Sequence, residues 1–259
     1  MGRIDSASNP RVVGALHSLR EGTLFPLEGS RAVREALDAS VEAAIAFHVG
    51  ALDDALRHRL EASGTPLYEV TPRVLDRLSD LPSTRGLVVL AAPPQRGLGD
   101  LPLPAKGTAL FLDGVQDPSN VGAMLRTAEA FGVSAAVLTA GSARPFSARA
   151  FRASAGSALR LPLAWGVSPE DARDWARGRH ATLAGAEAHG GEDPSAAATV
   201  RPLALVIGSE GHGISPQLSL ALDLRLTIPL QPSVESLNAA AAAAVLLYAL
   251  SPKTSASNR

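Results

Sequence analysis

The chain has 259 residues and no cysteine, which excludes disulfides and thiolate metal sites. Its six histidines are scattered, with no H-x-x-x-H or similar pairing, so no zinc site is legible and no metal is expected. Long apolar runs are missing too. The longest, within an Ala/Leu-rich stretch of about 14 residues near the end that includes Asn238, is shorter than the roughly 20 needed to span a bilayer. The N-terminal stretch lacks a charged-then-apolar signal pattern, so the expectation is a soluble cytoplasmic protein without membrane partners. Neither charge sign is in excess. A net charge of −1 argues against a wholly basic nucleic-acid binder but leaves room for a local patch of a few arginines. Aromatics make up only 4%. Together with abundant Ala, Arg and Pro, this looks like GC-rich coding bias and carries no function. The length suits one large domain or two small ones.

What is present is organised around Leu203 to Leu250. Two apolar strands each run into a glycine- or proline-marked turn: Leu203-Ala-Leu-Val-Ile-Gly208 into Ser209-Glu-Gly-His-Gly213, and Leu226-Thr-Ile228 into Pro229-Leu230 and Ser236-Leu237-Asn238. Open α/β sheets bind ligands at the carboxyl ends of neighbouring strands. Gly208, Gly211 and Gly213 leave the main chain bare for a close ligand. The helix that follows, Ala239 to Leu250, is apolar on every side and should be buried, its first-turn amides uncapped beside the glycine turn.

Along the chain, Asn9 before Pro10 reads as a capped helix start, and Arg3, Arg11 and Arg20 either touch phosphate or decorate a surface helix. From Leu24 to Ala92, strand and helix patterns alternate: Phe25-Pro-Leu-Glu, a helix from Ser30 to Ala39 with an Arg31 to Glu35 pair, strand Val41 to Val49, helix Leu52 to Ser63, strand Pro66 to Val70, helix Thr71 to Leu78 and strand Gly86 to Leu90. Pro93, Pro94, Pro102 and Pro104 with Gly97 and Gly99 mark a linker. Beyond it, strand Thr108 to Asp113, helix Ser119 to Phe131 and strand Ala135 to Thr139 begin a parallel sheet. It continues through Leu159 to Ala164, Ala181 to Gly185, Leu203 to Gly208 and Leu224 to Ile228. The residues after Ser251 read as a disordered tail.

Three motifs in order, Asn120-x-Gly122-x-x-x-Arg126, Ile207-Gly-Ser-Glu-Gly211, and Ile228-Pro-Leu with Ser236-Leu-Asn238, resemble those of the SpoU (TrmH) RNA ribose 2′-O-methyltransferases of the SPOUT superfamily. The resemblance implies an α/β protein with an N-terminal L30e-like substrate-binding domain and a C-terminal SPOUT domain, its parallel sheet flanked by helices and its end tied in a trefoil knot. General topology rules weigh against any knot. The implied domains are an N-terminal helical extension (1–22), an RNA-binding domain (23–92), a linker (93–107), the methyltransferase domain (108–252) and the tail (253–259). The implied cofactor is S-adenosylmethionine, held by Gly208, Ile228, Leu230 and Leu237 with Leu138, Thr139 and Ala140 as a further wall. The implied catalytic residues are Asn120, Arg126, Glu210, Ser236 and Asn238. Arg31, Arg34 and Arg85, with Arg149 and Arg152 beside Arg160, are candidate RNA contacts. The implied partners are 23S ribosomal RNA and a second copy, since SPOUT sites form at a subunit interface.

Each residue also has a plainer reading. Arg126 lies roughly 140° round from Val121 on the helix, off its apolar stripe, and is free to pair with Glu129 or Glu210. Asn120 and Ser236 fit helix caps. Ile228 and Leu237 fit plain core, and the arginines fit a solvated face. The sequence departs from the family at Leu230-Gln231-Pro232 and at the alanine after Asn238. Three alternatives stand beside this reading: a non-catalytic RNA-binding or assembly protein of the same fold, a tRNA 2′-O-methyltransferase, and a nucleotide-dependent oxidoreductase. The last would need G-x-G-x-x-G after the first strand, where this chain has Gly114-Val-Gln-Asp-Pro.

Overall fold

The computed structural model describes residues 3–79 and 86–251, so Arg85 and the tail from 252 lie outside the described residues. The chain divides into two compact units, Met1–Pro94 with Phe146–Ala148, and Gln95–Pro145 with Arg149–Arg259.

The first unit is built on a four-stranded sheet of β1 (Phe25–Glu28), β2 (Ala43–His48), β3 (Leu67–Glu69) and β4 (Leu87–Ala91), ordered β1-β4-β2-β3. β4 is antiparallel to both neighbours, and β3 runs parallel to β2. Period-two alternation sends Val88 and Leu90 to a core with Val12, Ala15, Val74 and Leu75. Those four residues come from α1 (Pro10–Glu21) and α4 (Pro72–Leu78). The helices start where local chemistry dictates. Asn9 accepts from the Arg11 amide at 3.0 Å, and Asp53 and Thr71 cap α3 (Asp54–Ala62) and α4. α2 (Gly29–Asp38) differs from expectation: it begins a residue before Ser30, and no side chain caps it. Its Arg31–Glu35 pair does form, at 2.9 Å.

The second unit holds a six-stranded sheet, all parallel, of β5 (Thr108–Asp113), β6 (Ala135–Thr139), β7 (Leu163–Val167), β8 (Thr182–Ala186), β9 (Leu203–Gly208) and β10 (Leu224–Leu226). Its order is β10-β8-β9-β5-β6-β7, so β5 and β9 sit side by side at the centre, with Asp113 level with Gly208. Helices on both faces bury these strands, which explains their nearly unbroken apolar runs. α5 (Pro118–Ala130) and α10 (Ala239–Leu250) pack together. α8 (Pro169–Gly178) and α9 (Pro216–Ser219) cover a second core containing Phe111, Val137, Trp175 and Val206. The strand expected at Leu159 to Ala164 is instead α7 (Ser157–Arg160) followed by β7; Gly156, at φ 82°, turns the chain out of α6 (Ala148–Ser154) into it.

The stretch read as a linker is partly packed. Leu101 is buried, and Leu98 and Leu103 lie against the second unit's core. Arg179 stacks over Trp175 at 4.4 Å and donates to the Gly99 carbonyl at 3.0 Å. Proline and glycine content alone cannot separate a free spacer from an irregular segment that packs. α10 is also less buried than its composition suggests: Ala243, Leu246, Leu247 and Leu250 face inward, while Val245 and Tyr248 are 42% and 72% exposed.

Candidate functional site

Parallel strands β5 and β9 end together, so the loops leaving them, 114–117 and 209–215, rise side by side. The β9 loop is a tight turn, with Ser209 and Gly213 exchanging both backbone hydrogen bonds at 2.9 Å and Ser209 Oγ accepting from the His212 amide at 3.1 Å. Of its three glycines only Gly213 has positive φ, 67°. A Cβ on Gly208 would sit 2.2 Å from the Gly213 carbonyl carbon. Gly208 is therefore required by the approach of the chain to itself, and not only by access for a ligand. Gly122 has a parallel reason: its Cβ would lie 2.2 Å from the Ala150 carbonyl oxygen, where α5 crosses α6.

The turn aims Glu210 at two amides. Its Oε1 accepts from Asn120 Nδ2 at 2.7 Å and Asn238 Nδ2 at 2.8 Å, and from the Ala239 amide at 3.4 Å; Asn238 Nδ2 also reaches Asn120 Oδ1 at 3.3 Å. Three of the five expected catalytic residues thus meet in one hydrogen-bonded cluster drawn from the first turn of α5, the β9 turn and the start of α10. The acid sits at the N-terminus of α10, where a helix favours negative charge.

The capping expectations change. Asn238, not Ser236, caps α10, its Oδ1 accepting from Ala240 and Ala241 amides at 3.0 and 3.3 Å, so the amides expected to be bare are satisfied. Asp117, not Asn120, caps α5, and the Ser119 amide at 2.6 Å holds its carboxyl below the usual range.

Beside the cluster lies a cleft of about 300 Å³ at the ends of β8, β9 and β10. Gly208, Ile228, Leu230 and Leu237 line it, with Ser236. Leu138, Thr139 and Ala140 do not. β5 stands between β6 and β9, Thr139 is buried with its hydroxyl on Asp113 at 2.7 Å, and the Ala140 amide is taken by Val167 O. The sequence reading missed Ala186 at the end of β8 and the Ala239, Ala242 and Leu246 face of α10. Their signals were the same strand-end rule and the i, i+3, i+7 spacing. The lining includes two carboxylate residues, Glu187, which is already paired with Arg225, and Glu210, and no lysine or arginine, so Glu210 is the acid that suits a cationic ligand.

The remaining candidates lie elsewhere. Arg126 is exposed and is paired with neither Glu129 nor Glu210. Glu129 binds Arg160 through two hydrogen bonds, at 2.6 and 2.9 Å, and Glu210 holds the amides. Six residues separate Arg126 from Asn120, roughly 9 Å along the axis and 120° round it, so the two point away from each other. Arg149 donates to Ser119 Oγ at 2.6 Å, and Arg152 is exposed on the same short helix. In the first unit Arg31 pairs with Glu35, and Arg34 with Asp53 at 2.7 Å. Surface pairs of this kind are weak enough to yield to phosphate.

Residues 107–248 match the SpoU rRNA Methylase family. Over 255 residues, 96% of this chain and 99% of the relative, the sequence is 29% identical to the 23S rRNA (guanosine(2553)-2′-O)-methyltransferase RlmP of Bacillus subtilis. Among solved structures, the AdoMet-bound rRNA methyltransferase from Sinorhizobium meliloti superposes with a TM-score of 0.88 at 25% identity, covering 96% of this chain and 97% of that one. The SpoU methyltransferase AviRb from Streptomyces viridochromogenes, solved with AdoMet, gives 0.83 at 25% identity, over 93% and 97%.

Proposed function

Since this chain belongs to the SpoU rRNA methylase family, we propose that it transfers the methyl group of S-adenosylmethionine to a ribose 2′-hydroxyl of 23S ribosomal RNA. One observation carries the reading: within the matched segment, the Asn120–Glu210–Asn238 cluster opens onto a cleft of about 300 Å³.

The cleft fits the cofactor. Its size is at the lower end for small-molecule sites, its walls are mostly aliphatic with Gly208 and Gly213 among them, and Glu210, which has no cation partner among the described residues, suits a sulfonium. When bound, the cofactor supplies a methyl group made electrophilic by positive sulfur. Ile228 and Leu237 cover the adenosine. Glu210, held by two amides, keeps Asn120 and Asn238 turned toward the reacting ribose. Arg126 clamps the neighbouring phosphate bidentately and stays protonated, so the hydroxyl proton leaves to phosphate or water. Orientation of this kind supplies on the order of 7 to 11 kcal/mol in well-aligned systems.

In the proposal the active species is a homodimer. Arg126 points away from the cluster of its own chain, and Val245 and Tyr248 leave an exposed apolar stripe on α10, which packs on α5. A second copy covering that stripe brings Arg126 of one protomer to the cluster of the other. The first unit is the RNA-binding domain, with Arg31 and Arg34 as contacts. The knot belongs to the proposal as well: the chain leaves edge strand β10 and returns to place α10 against β9 and the 3-10 turn at Pro194–Ala197 in the loop between β8 and β9. No helix among the described residues is long and apolar enough to cross a membrane, and the site of action is the cytoplasm.

Total RNA from a strain lacking the gene is incubated with the protein and labelled S-adenosylmethionine. Label in 23S RNA supports the proposal. Label confined to transfer RNA moves the substrate, and RNA binding without label on any RNA replaces the enzyme with a binding protein.

A further inference from the structure

Asp113 is the only carboxylate residue that is buried among the described residues, at 3% exposure. Among the described residues no cation pairs with it. Its Oδ1 accepts from the Thr139 hydroxyl at 2.7 Å, and its Oδ2 from the Ser215 amide at 2.6 Å. The Thr139 oxygen in turn accepts from the Gly114 amide at 3.1 Å. Burying a carboxylate among neutral donors is costly where an apolar side chain would pack, so its position calls for a reason.

The reason lies in what the two oxygens join. Asp113 ends β5, just before the loop that leads to Asn120. Ser215 follows the glycine turn that carries Glu210. The first turn of α5 and the glycine turn also meet higher up, through half-buried Asn120 and exposed Glu210, in a contact open to water. An exposed amide–carboxylate contact cannot by itself fix the spacing of two loops, because water competes for every donor. The buried contact at their base can.

We propose that Asp113 is a positioning residue for methyl transfer. By holding the Ser215 amide on one side and Thr139 on the other, it sets the height of the Glu210 turn against α5, and with it the orientation of Asn120 and Asn238. Thr139 then serves the site through Asp113 and not as a wall for the cofactor. The inference rests on the methyltransferase reading for its kinetic consequence, but its structural consequence stands apart from it.

The test compares wild type with Asp113→Ala, Asp113→Asn and Val137→Ala, the last a core truncation in β6 away from the site. Two quantities are read: the rate of methyl transfer to 23S RNA at saturating cofactor, and the side-chain amide NMR signals of Asn120 and Asn238. Asp113→Asn keeps the shape. Its carbonyl accepts from Ser215, and its amide donates to the Thr139 oxygen, whose proton turns away. It should keep the rate within about threefold and leave both signals in place, since a neutral acceptor is only modestly weaker. Asp113→Ala should lower the rate on the order of a hundredfold, the cost of a misplacement near 1 Å, and shift both amide signals. Val137→Ala should lower Tm with neither effect.

If the alanine variant does not fold, Asp113→Thr, which fills the space and reaches only Thr139, takes its place. Unshifted amide signals in a folded Asp113→Ala or Asp113→Thr protein would overturn the proposal. So would a rate loss no greater than that of Val137→Ala, or an Asp113→Asn protein as damaged as the alanine variant. Absence of transfer by wild type removes the methyltransferase reading, and the amide signals then still decide what Asp113 positions.

Discussion

Glu210 is the acceptor that three N–H groups share, and all of them use Oε1. Glu210→Ala leaves the Asn120 and Asn238 amides and the Ala239 amide without that partner. Glu210 and Asn238 are exposed and Asn120 is half-buried, so water replaces most of the lost bonding and stability should fall by only about 1 kcal/mol, a Tm change of roughly 2 to 4 °C for a unit of this size. Activity should respond far more, because the two amides lose their common direction. A hundredfold loss in kcat, about 2.7 kcal/mol in the barrier, is the expected scale. Glu210→Gln should behave differently. Its one carbonyl oxygen can keep all three bonds, while its amide replaces the oxygen to which none of them runs. It should retain kcat within about tenfold, the difference reflecting a neutral instead of a charged acceptor. The assay is methyl incorporation at saturating cofactor and RNA, with Tm measured on the same samples. Wild-type kcat in Glu210→Ala, or equal damage in the two variants, would refute the reasoning.

Gly122→Ala places a methyl 2.2 Å from the Ala150 carbonyl oxygen and 2.6 Å from Ala153 Cβ. Backbone cannot yield cheaply, so thermal unfolding should show a loss of about 3 kcal/mol; a Tm within a degree of wild type would contradict the close crossing. Arg126→Ala and Glu210→Ala proteins, each inactive alone, should regain about a quarter of wild-type activity when mixed and allowed to exchange subunits, since half the dimers then carry one intact site. No recovery would mean that Arg126 serves its own chain. Glu129 has its carboxyl held below the usual range, chiefly by the Arg160 hydrogen bond. A depressed folded value stabilises above the ordinary glutamate range and loses that contribution as pH falls through the lower folded value. Arg160→Leu should therefore cost about 0.5 kcal/mol near neutrality, a small figure because the pair is partly exposed. That gap should close in acid; urea titrations showing the same gap at both pH values would disprove the linkage.

Much of the sheet was legible because parallel strands buried on both faces write unbroken apolar runs: Thr108–Asp113, Ala135–Thr139 and Leu203–Gly208 fall where the pattern puts them. Leu159 to Ala164 misled for the same reason. Buried apolar residues there belong to one helical turn and then a strand, and a run that short does not separate the two periods. The cap of α10 was placed at Ser236, two residues early, because an alanine run carries no start signal of its own. Of the polar site, the motif residues Asn120, Glu210 and Asn238 could be named from sequence, but their shared Oε1 could not, since its bonds span 28 to 90 residues. Thr139 was placed beside Gly208 and Ile228 for want of one fact, the position of β5 between β6 and β9, which sets it apart from the cleft.

The most direct test of the central claim is the position of the transferred methyl. RNA labelled by the protein is hydrolysed in alkali, which cleaves beside every free 2′-hydroxyl and spares a methylated one. The account predicts label in alkali-resistant dinucleotides from 23S RNA, lost with Arg126→Ala. Label released in mononucleotides, as base methylation would give, contradicts it.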